Sequence, residues 1–398
     1  MISKPASVGM TTARDGRQRI DTIDMLRGLV MLIMLLDHVR ERVLLHLQVS
    51  DPMDLSTTTI GLFFSRLAAH LCAPVFVFLT GLSAWLYQHH HSGVARPVRS
   101  FLVKRGLFLI ALELTVVNFA WMGSYHTLWL QVIWVIGLSM LALALCSSLP
   151  RPLLAVIGFS LVFGHNLLTP ISFAPQEWGY SLWTILHDRN YLLDAQAAAS
   201  LGLPMIKLSY PLLPWIGVIV LGYLAGPLYL HSYSTTARKR WLLGLGLGCF
   251  GLLLLLRGLN LYGETLPWQQ HASGLLSLMD WLNFTKYPPS LNFLLLTLGL
   301  MCLLLRAFEH PLPTSVRSVL ANFGAAPMFF YLLHLYALLL LYQLLLAWFG
   351  PNQGQMYGVD GVAEVWLITV FLALVLYWPT RWFARLKQRS TATWIRYL

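Results

Sequence analysis

Arg27 and His38 stand eleven residues apart in one strongly apolar stretch, residues 23–47, with Asp37 beside the histidine. Eleven residues at about 100° each turn through about 1100°, about 20° past three full turns. A helix here therefore sets both side chains on one face, about 16 Å apart along its axis. The residue types matter as much as the spacing. An imidazole, whose ordinary pKa lies near neutrality, is suited to take a proton from a hydroxyl or amine, and a guanidinium is a rigid fork for phosphate or carboxylate. Asp37 points about 100° away from His38, which suits it to pair with Arg40 or Arg66, while Glu113 or His70 from another helix could orient the imidazole. Ionisable groups inside an apolar helix are expensive and usually face a bundle interior or an aqueous cavity. The same residues also read as a buried ion-pair network that only fixes helix packing, and residue types alone leave both readings open.

The elements that must hold these groups are membrane helices. The chain has 398 residues, 57% hydrophobic and 11% charged, with mean hydropathy +0.65, and its apolar runs recur too often for a soluble domain. Ten runs approach or exceed the length that crosses a hydrocarbon core of about 30 Å. They begin near Ile23, Thr59, Leu102, Thr127, Pro152, Ser209, Trp241, Pro289, Ala325 and Glu364. Counted over alternate loops, nineteen Lys and Arg fall on the N-terminal side and only Arg189, Lys207, Arg257 and Lys286 on the other. That bias predicts an all-α polytopic membrane helix bundle of about ten transmembrane helices, both termini cytoplasmic, in the inner (plasma) membrane of a cell.

The net charge of +11 then reflects topology and attraction to anionic lipid headgroups, more than nucleic-acid binding. The predicted organisation is a cytoplasmic tail over 1–22, a helical domain over 23–384 and a second cytoplasmic tail over 385–398. Cys72, Cys146, Cys249 and Cys302 fall inside predicted spans and read as small apolar residues, implying neither a disulfide framework nor a metal site. The first eighteen residues are polar and basic, so the first span is expected to serve as its own insertion signal. Any chemistry has to be built from the bundle and its loops.

Placed at about 1.5 Å per residue, His38 and His70 come out near mid-depth, with Glu113 and His334 at a similar level. Arg66 precedes His70 by four residues and shares its face. Four ionisable groups from four helices at one depth predict a polar chamber. Singly, His334 also reads as a hydrogen-bonded core histidine and Glu113 as the ion-pair partner of Arg66 or Arg27. His89–His91 reads as a solvated helix end. Gly244, Gly246, Gly248 and Gly251 predict close helix approach, and the aromatic clusters at 121–134 and 366–382 predict interfacial belts. The longest outer stretches, 169–208 and 259–288, carry Trp178, Trp183, His187, Asp188, Trp268, Asp280, Asn283 and Lys286, and read as loops that roof an outward pocket.

The run Asp24-Met25-Leu26-Arg27-Gly28-Leu29-Val30, closing on Leu36-Asp37-His38, resembles the opening helix of the transmembrane acyltransferase superfamily. Within it the chain is more similar to the heparan-α-glucosaminide N-acetyltransferase-like proteins than to the acyltransferase-3 proteins. Arg66, His70 and residues 73–81 resemble the second helix of that pattern. Weaker echoes follow at 130–137, 210–226, 286–290 and 326–334, so the likeness spans nearly the whole chain while its specific part is the first two helices.

The resemblance implies an acyltransferase that moves an acetyl group from cytoplasmic acetyl-CoA to a hydroxyl or amine of a sugar or glycan at the opposite face, without a metal. On that reading His38, with Asp37 beside it, is base or acyl carrier, and Arg27 holds a phosphate of CoA. Arg66, His70, Glu113, Lys286, His334 and Tyr336 are then the candidates for substrate contact. One departure bears on the catalytic position. In the lysosomal glucosaminide enzyme the place of His38 is not histidine, and a later histidine near the luminal end of that helix carries the chemistry. His46 is nearest to that place, so the position lies between His38 and His46, with His38 preferred.

Residue types alone also admit a proton-coupled transporter of a small polar solute, disfavoured by the lack of an inverted repeat of broken helices. A lipid-binding scaffold leaves the layer of ionisable groups unexplained. No motif names the acceptor or sets an oligomeric state.

Overall fold

The computed structural model describes residues 21–89, 96–230, 232–390, 392, 395 and 397. Most of the expected tail over 1–22, His90 and His91, and part of the tail over 385–398 lie outside the described residues. Helix α1 spans Asp21–Val43, with Asp21 and Asp24 in its first turn and Arg40 and Arg42 in its last, each sign complementing the helix dipole at its end. Helices α2 (Ile60–Ala69) and α3 (Cys72–Gln88) form one crossing interrupted at His70 and Leu71. Pro74 causes the interruption, since its ring lacks an N–H and excludes the carbonyl four residues back, that of His70.

Helix α4 (Val98–Leu112) runs through a π-turn, Glu113–Val117, into α5 (Asn118–Met122). There follow β1 (Thr127–Leu130), α6 (Val132–Cys146), α7 (Arg151–Gly164), α8 (Tyr180–Leu186), β2 (Tyr191–Leu193), α9 (Ala195–Leu201) and β3 (Met205–Leu208). The chain continues through α10 (Leu213–Leu224), α11 (Thr235–Gly258), α12 (Gly274–Trp281), α13 (Leu291–Phe308), α14 (Thr314–Ala325), α15 (Pro327–Phe349) and α16 (Val362–Arg389).

This is an all-α membrane protein with one small sheet. Among the described residues, six helical stretches are long and apolar enough to cross a membrane: Ile60–Gln88, Arg151–Leu168, Thr235–Gly258, Leu291–Phe308, Pro327–Phe349 and Val362–Arg389. Helices α6 and α10 are shorter apolar ones. The ten expected runs map onto these eight together with the more charged α1 and α4–α5.

Details differ from expectation. The ninth run is α15, which starts at Pro327, close to the expected Ala325; a further helix absent from the ten expected runs, α14, lies along α1 ahead of it, and the break between the two falls at Ala326. The outer stretch 169–208 holds α8, α9, β2 and β3. Strand β3 pairs in parallel with β1, Thr127 opposite Met205 and Leu130 opposite Leu208, and antiparallel with β2. Of the four α11 glycines expected to pack closely, only Gly246 meets another helix, at Leu303 and Gly299 of α13; a Cβ on Gly244, Gly248 or Gly251 would meet nothing within 4 Å.

Glycines do govern close packing, but in pairs drawn from different helices. Gly28 and Gly324 join α1 to α14, Gly81 and Gly222 join α3 to α10, Gly106 and Gly137 join α4 to α6, Gly158 and Gly217 join α7 to α10, and Gly246 and Gly299 join α11 to α13. At the first pair a Cβ on Gly28 would run into the Leu320 carbonyl, and one on Gly324 into the Asp24 carbonyl. Backbones can come this near only where side chains are missing. Helix α1 is the centre of the result, with Leu26, Val30, Leu35 and Val39 fully buried, whereas Trp366, Trp378 and Trp382 of α16 face outward.

Candidate active site

Helix α1 carries His38 five residues before its end at Val43. At about 1.5 Å per residue that is about 9 Å beyond the helix centre, so the histidine lies toward the C-terminal end of α1. Its Nδ1 lies 2.7 Å from Nε2 of His334 on α15, and His334 Nδ1 lies 2.7 Å from the Phe330 carbonyl oxygen. The two rings stack 5.0 Å apart at 24°. A carbonyl can only accept, so in a neutral His334 the hydrogen is on Nδ1 and Nε2 accepts. His38 must then donate from its own Nδ1, which leaves His38 Nε2 as a bare lone pair. Trp121 stands edge-on to the His38 ring at 4.8 Å and Tyr331 at 5.9 Å.

Beside the dyad lies a buried charge cluster. Asp37 Oδ1 accepts from Arg40 at 2.8 and 3.1 Å, and its Oδ2 is 4.0 Å from Lys286 Nζ. Arg66 is 3.8 Å from Asp51, whose oxygens accept the backbone N–H groups of Lys286 and Tyr287 at 2.8–3.1 Å. Burial pushes the Asp51 carboxyl above its ordinary range, against the pull of Arg66 and of those backbone donors. His70 faces the same cluster from the break between α2 and α3, within electrostatic reach of Lys286, Arg66, Asp37 and Arg40, and packs on Phe293. Neither of its ring nitrogens has a hydrogen-bond partner. Asp37, His38, Arg66, His70, Lys286 and His334 are thus assembled by α1, α2, α15 and the segment ahead of α13.

The remaining sequence candidates fall elsewhere. Arg27 is toward the opposite end of α1, bonded to Asp24 at 3.0 Å and Ser83 at 2.5 Å, with Arg105 of α4 within electrostatic reach. Glu113 does not pair with Arg66 or Arg27. The π-turn swings its fully buried carboxyl group onto the start of α6, where Oε2 accepts the Trp134 N–H at 3.1 Å and so caps that helix's N-terminus. Asn118 braces the turn by donating to the Glu113 carbonyl at 2.7 Å. His46 lies past the end of α1 and packs against Gly358. Tyr336, 38% exposed, donates to the Val116 carbonyl at 3.0 Å. Trp121, Tyr331 and Asp51 were not among the sequence candidates. Trp121 reads as a belt residue in sequence, and nothing in the sequence pairs Asp51 with residues 286 and 287. Among the described residues no group of three or more His, Cys, Asp or Glu is placed to hold a metal ion.

A buried imidazole pair in a multi-pass helical bundle, with one ring nitrogen left outside the hydrogen-bond chain, is an arrangement that can take up a proton. Residues 19–247 match the family model for heparan-alpha-glucosaminide N-acetyltransferase, catalytic. The chain belongs to that family, and the membership supports a membrane acetyltransferase-type activity. The matched stretch holds Arg27, Asp37, His38, His46, Arg66, His70 and Glu113, while Lys286, His334 and Tyr336 lie beyond it. No curated protein matches the chain.

Proposed function

We propose that this protein transfers an acetyl group from acetyl-CoA, taken from the cytoplasm, to a hydroxyl or amine of a sugar or glycan at the opposite face of an inner (plasma) membrane. The catalytic unit is the helical domain over 23–384, with the two tails in the cytoplasm. The observation that carries the reading is the chain from the Phe330 carbonyl through His334 to His38, which leaves His38 Nε2 unprotonated. Arg27, with Arg105 nearby, is placed for the phosphates of CoA at one end of α1, and the thioester then lies along the bundle toward His38.

As the acceptor oxygen or nitrogen attacks the thioester carbonyl, Nε2 takes its proton. The bond to sulfur breaks, and the departing CoA thiolate collects that proton from Nε2. His334 holds the other face of the ring, so the positive charge that forms on His38 meets an acceptor at Nδ1 in place of hydrocarbon.

The full chain in lipid nanodiscs with radiolabelled acetyl-CoA tests this. Binding and slow hydrolysis are expected in the wild type. His38→Ala should keep binding and lose hydrolysis by about a hundredfold or more, and His46→Ala should change neither. Unaltered hydrolysis in His38→Ala, or solute transport without acyl turnover, would defeat the reading.

A further inference from the structure

Two buried N–H groups beside His38 have no acceptor. Resting on the transfer reading above, we propose that these two, Trp121 Nε1 and Arg42 Nε, receive the oxygen of the acyl carbonyl when it becomes negatively charged in the tetrahedral adduct.

Trp121 stands on α5, just past the π-turn, with its ring 4.8 Å from that of His38 at 77°. A π-turn adds one residue to a helix and so rotates all that follows by about 100°. With a regular α-helix through 113–117 the indole would be turned away from His38 by that angle. The carbonyls of the turn are held by side chains: Glu113 by Asn118 Nδ2 at 2.7 Å, Thr115 by the Tyr125 hydroxyl at 3.1 Å and Val116 by the Tyr336 hydroxyl at 3.0 Å. Asn118 Oδ1 also accepts the Trp129 N–H at 2.7 Å and ties the turn to β1. Three side chains thus maintain a helix irregularity whose effect is to aim one ring at the base. Nε1 of that ring is buried and completes no hydrogen bond, the Tyr331 hydroxyl beside it being badly placed to accept.

Arg42 follows His38 by four residues and shares its face of α1. Its guanidinium lies 5.6 Å over the Trp121 ring and 5.7 Å over that of Tyr342, within electrostatic reach of His38. Nη2 donates to the carbonyl of Ala120 at 2.9 Å, one residue before Trp121, while Nε is buried with no partner. Arg40, also close to His38, is already bonded to Asp37 and Glu41. A buried donor left without an acceptor is costly, and an oxyanion lodged beside His38 satisfies both.

The electrons balance as follows. The acceptor's lone pair forms a bond to the thioester carbon, the C=O π pair moves onto oxygen, and the acceptor's proton goes to His38 Nε2. The oxyanion accepts from Trp121 Nε1 and Arg42 Nε. On collapse the C=O bond re-forms, the C–S bond breaks and the thiolate takes the proton from Nε2. Fixed donors in a water-poor site hold this charge more strongly than the neutral carbonyl it came from.

The test gives the full chain in lipid nanodiscs acetyl-CoA and trifluoroacetonyl-CoA, a ketone that water hydrates to a tetrahedral centre. Trp121→Phe keeps a ring and removes the N–H. It should melt and bind acetyl-CoA as the wild type does, lose hydrolysis by about a hundredfold or more, and weaken the hydrated ketone by about tenfold or more. Arg42→Met should show the same selective loss, and Arg42→Lys, which keeps the charge, should recover part of it. A ring or stem that only fills space would move both ligands together. Unchanged hydrolysis in both Trp121→Phe and Arg42→Met, or an equal loss of affinity for the two ligands, would overturn the proposal, and the transfer reading would stand where His38→Ala still loses hydrolysis. Selective loss of the ketone in Trp121→Phe where His38→Ala leaves hydrolysis untouched would uphold the two donors while defeating His38 as the base.

Discussion

The hydrogen on His38 Nδ1 is decided by a residue 296 positions away. Remove His334 and Nδ1 loses its acceptor, the imidazole is free to carry its hydrogen on either nitrogen, and the base is correct only part of the time. His334→Ala should therefore slow acetyl-CoA hydrolysis about tenfold to a hundredfold with substrate binding intact. His334→Gln, whose amide oxygen can still accept from Nδ1, should recover part of that rate. The pH profiles of the two variants separate a positioning role from a packing one, since a packing defect would leave the profile where it was. An unchanged rate and profile in His334→Ala would remove the relay from the mechanism. At this scale the sequence showed which residue types mattered and the Asp37–Arg40 pair within one helix, but not the partners that other segments supply. His38 and Asp37 stand out in an apolar helix, whereas the dyad, the cap that Glu113 places on α6 and the wall formed by Trp121 depend on contacts between segments that no spacing within one helix encodes.

Among the elements, the long crossings were legible and the break at Pro74 was not: the second run reads as one continuous span, although the missing N–H and ring clash of Pro74 mark the break locally. The π-turn at Glu113 has no such mark. Glycine was visible but its facing was not: the α11 glycines look like a packing motif, yet three of the four have open space where a Cβ would be. The contrast gives a prediction. Gly28→Ala or Gly324→Ala should lower the unfolding temperature in detergent and the yield of folded protein, each costing about 1–3 kcal/mol, because the obstacle is backbone and cannot rotate away. Gly244→Ala and Gly248→Ala should be neutral or slightly stabilising through helix propensity. Equal behaviour of the two sets would show that the α1 to α14 contact is looser than described.

For the molecule as a whole, composition and loop charge foretold a polytopic bundle, and the ten runs found their helices. The small sheet stayed hidden because strands of three and four residues, with β1 and β3 more than seventy positions apart, leave almost no periodic trace. The loop between α11 and α12 has a titrating member. Burial pushes the Glu264 carboxyl above its ordinary value near 4.5, against the pull of Thr285, Arg257 and Ser290. A carboxyl held up in the folded state lends stability that is full below about pH 4.5 and is lost as pH rises through the folded value. Glu264→Gln keeps an oxygen for the Thr285 N–H and offers an amide to Ser290, which Glu264 now accepts from at 2.8 Å. The variant should melt above the wild type at pH 7–8, with the gap closing as pH falls toward 4.5. A gap that holds constant with pH would mean that Glu264 does not titrate in this range.

The pairing of α1 with α14 has a consequence for how the protein is made. Helix α1 leaves the ribosome well before α14, carrying the acidic and basic groups that lipid tolerates least, yet the backbone it lies against through Gly28 is synthesised almost three hundred residues later. Until that stretch is in place, the nascent chain must shelter its charged leading segment against temporary neighbours or the insertion machinery. A segment made early is in that sense finished late.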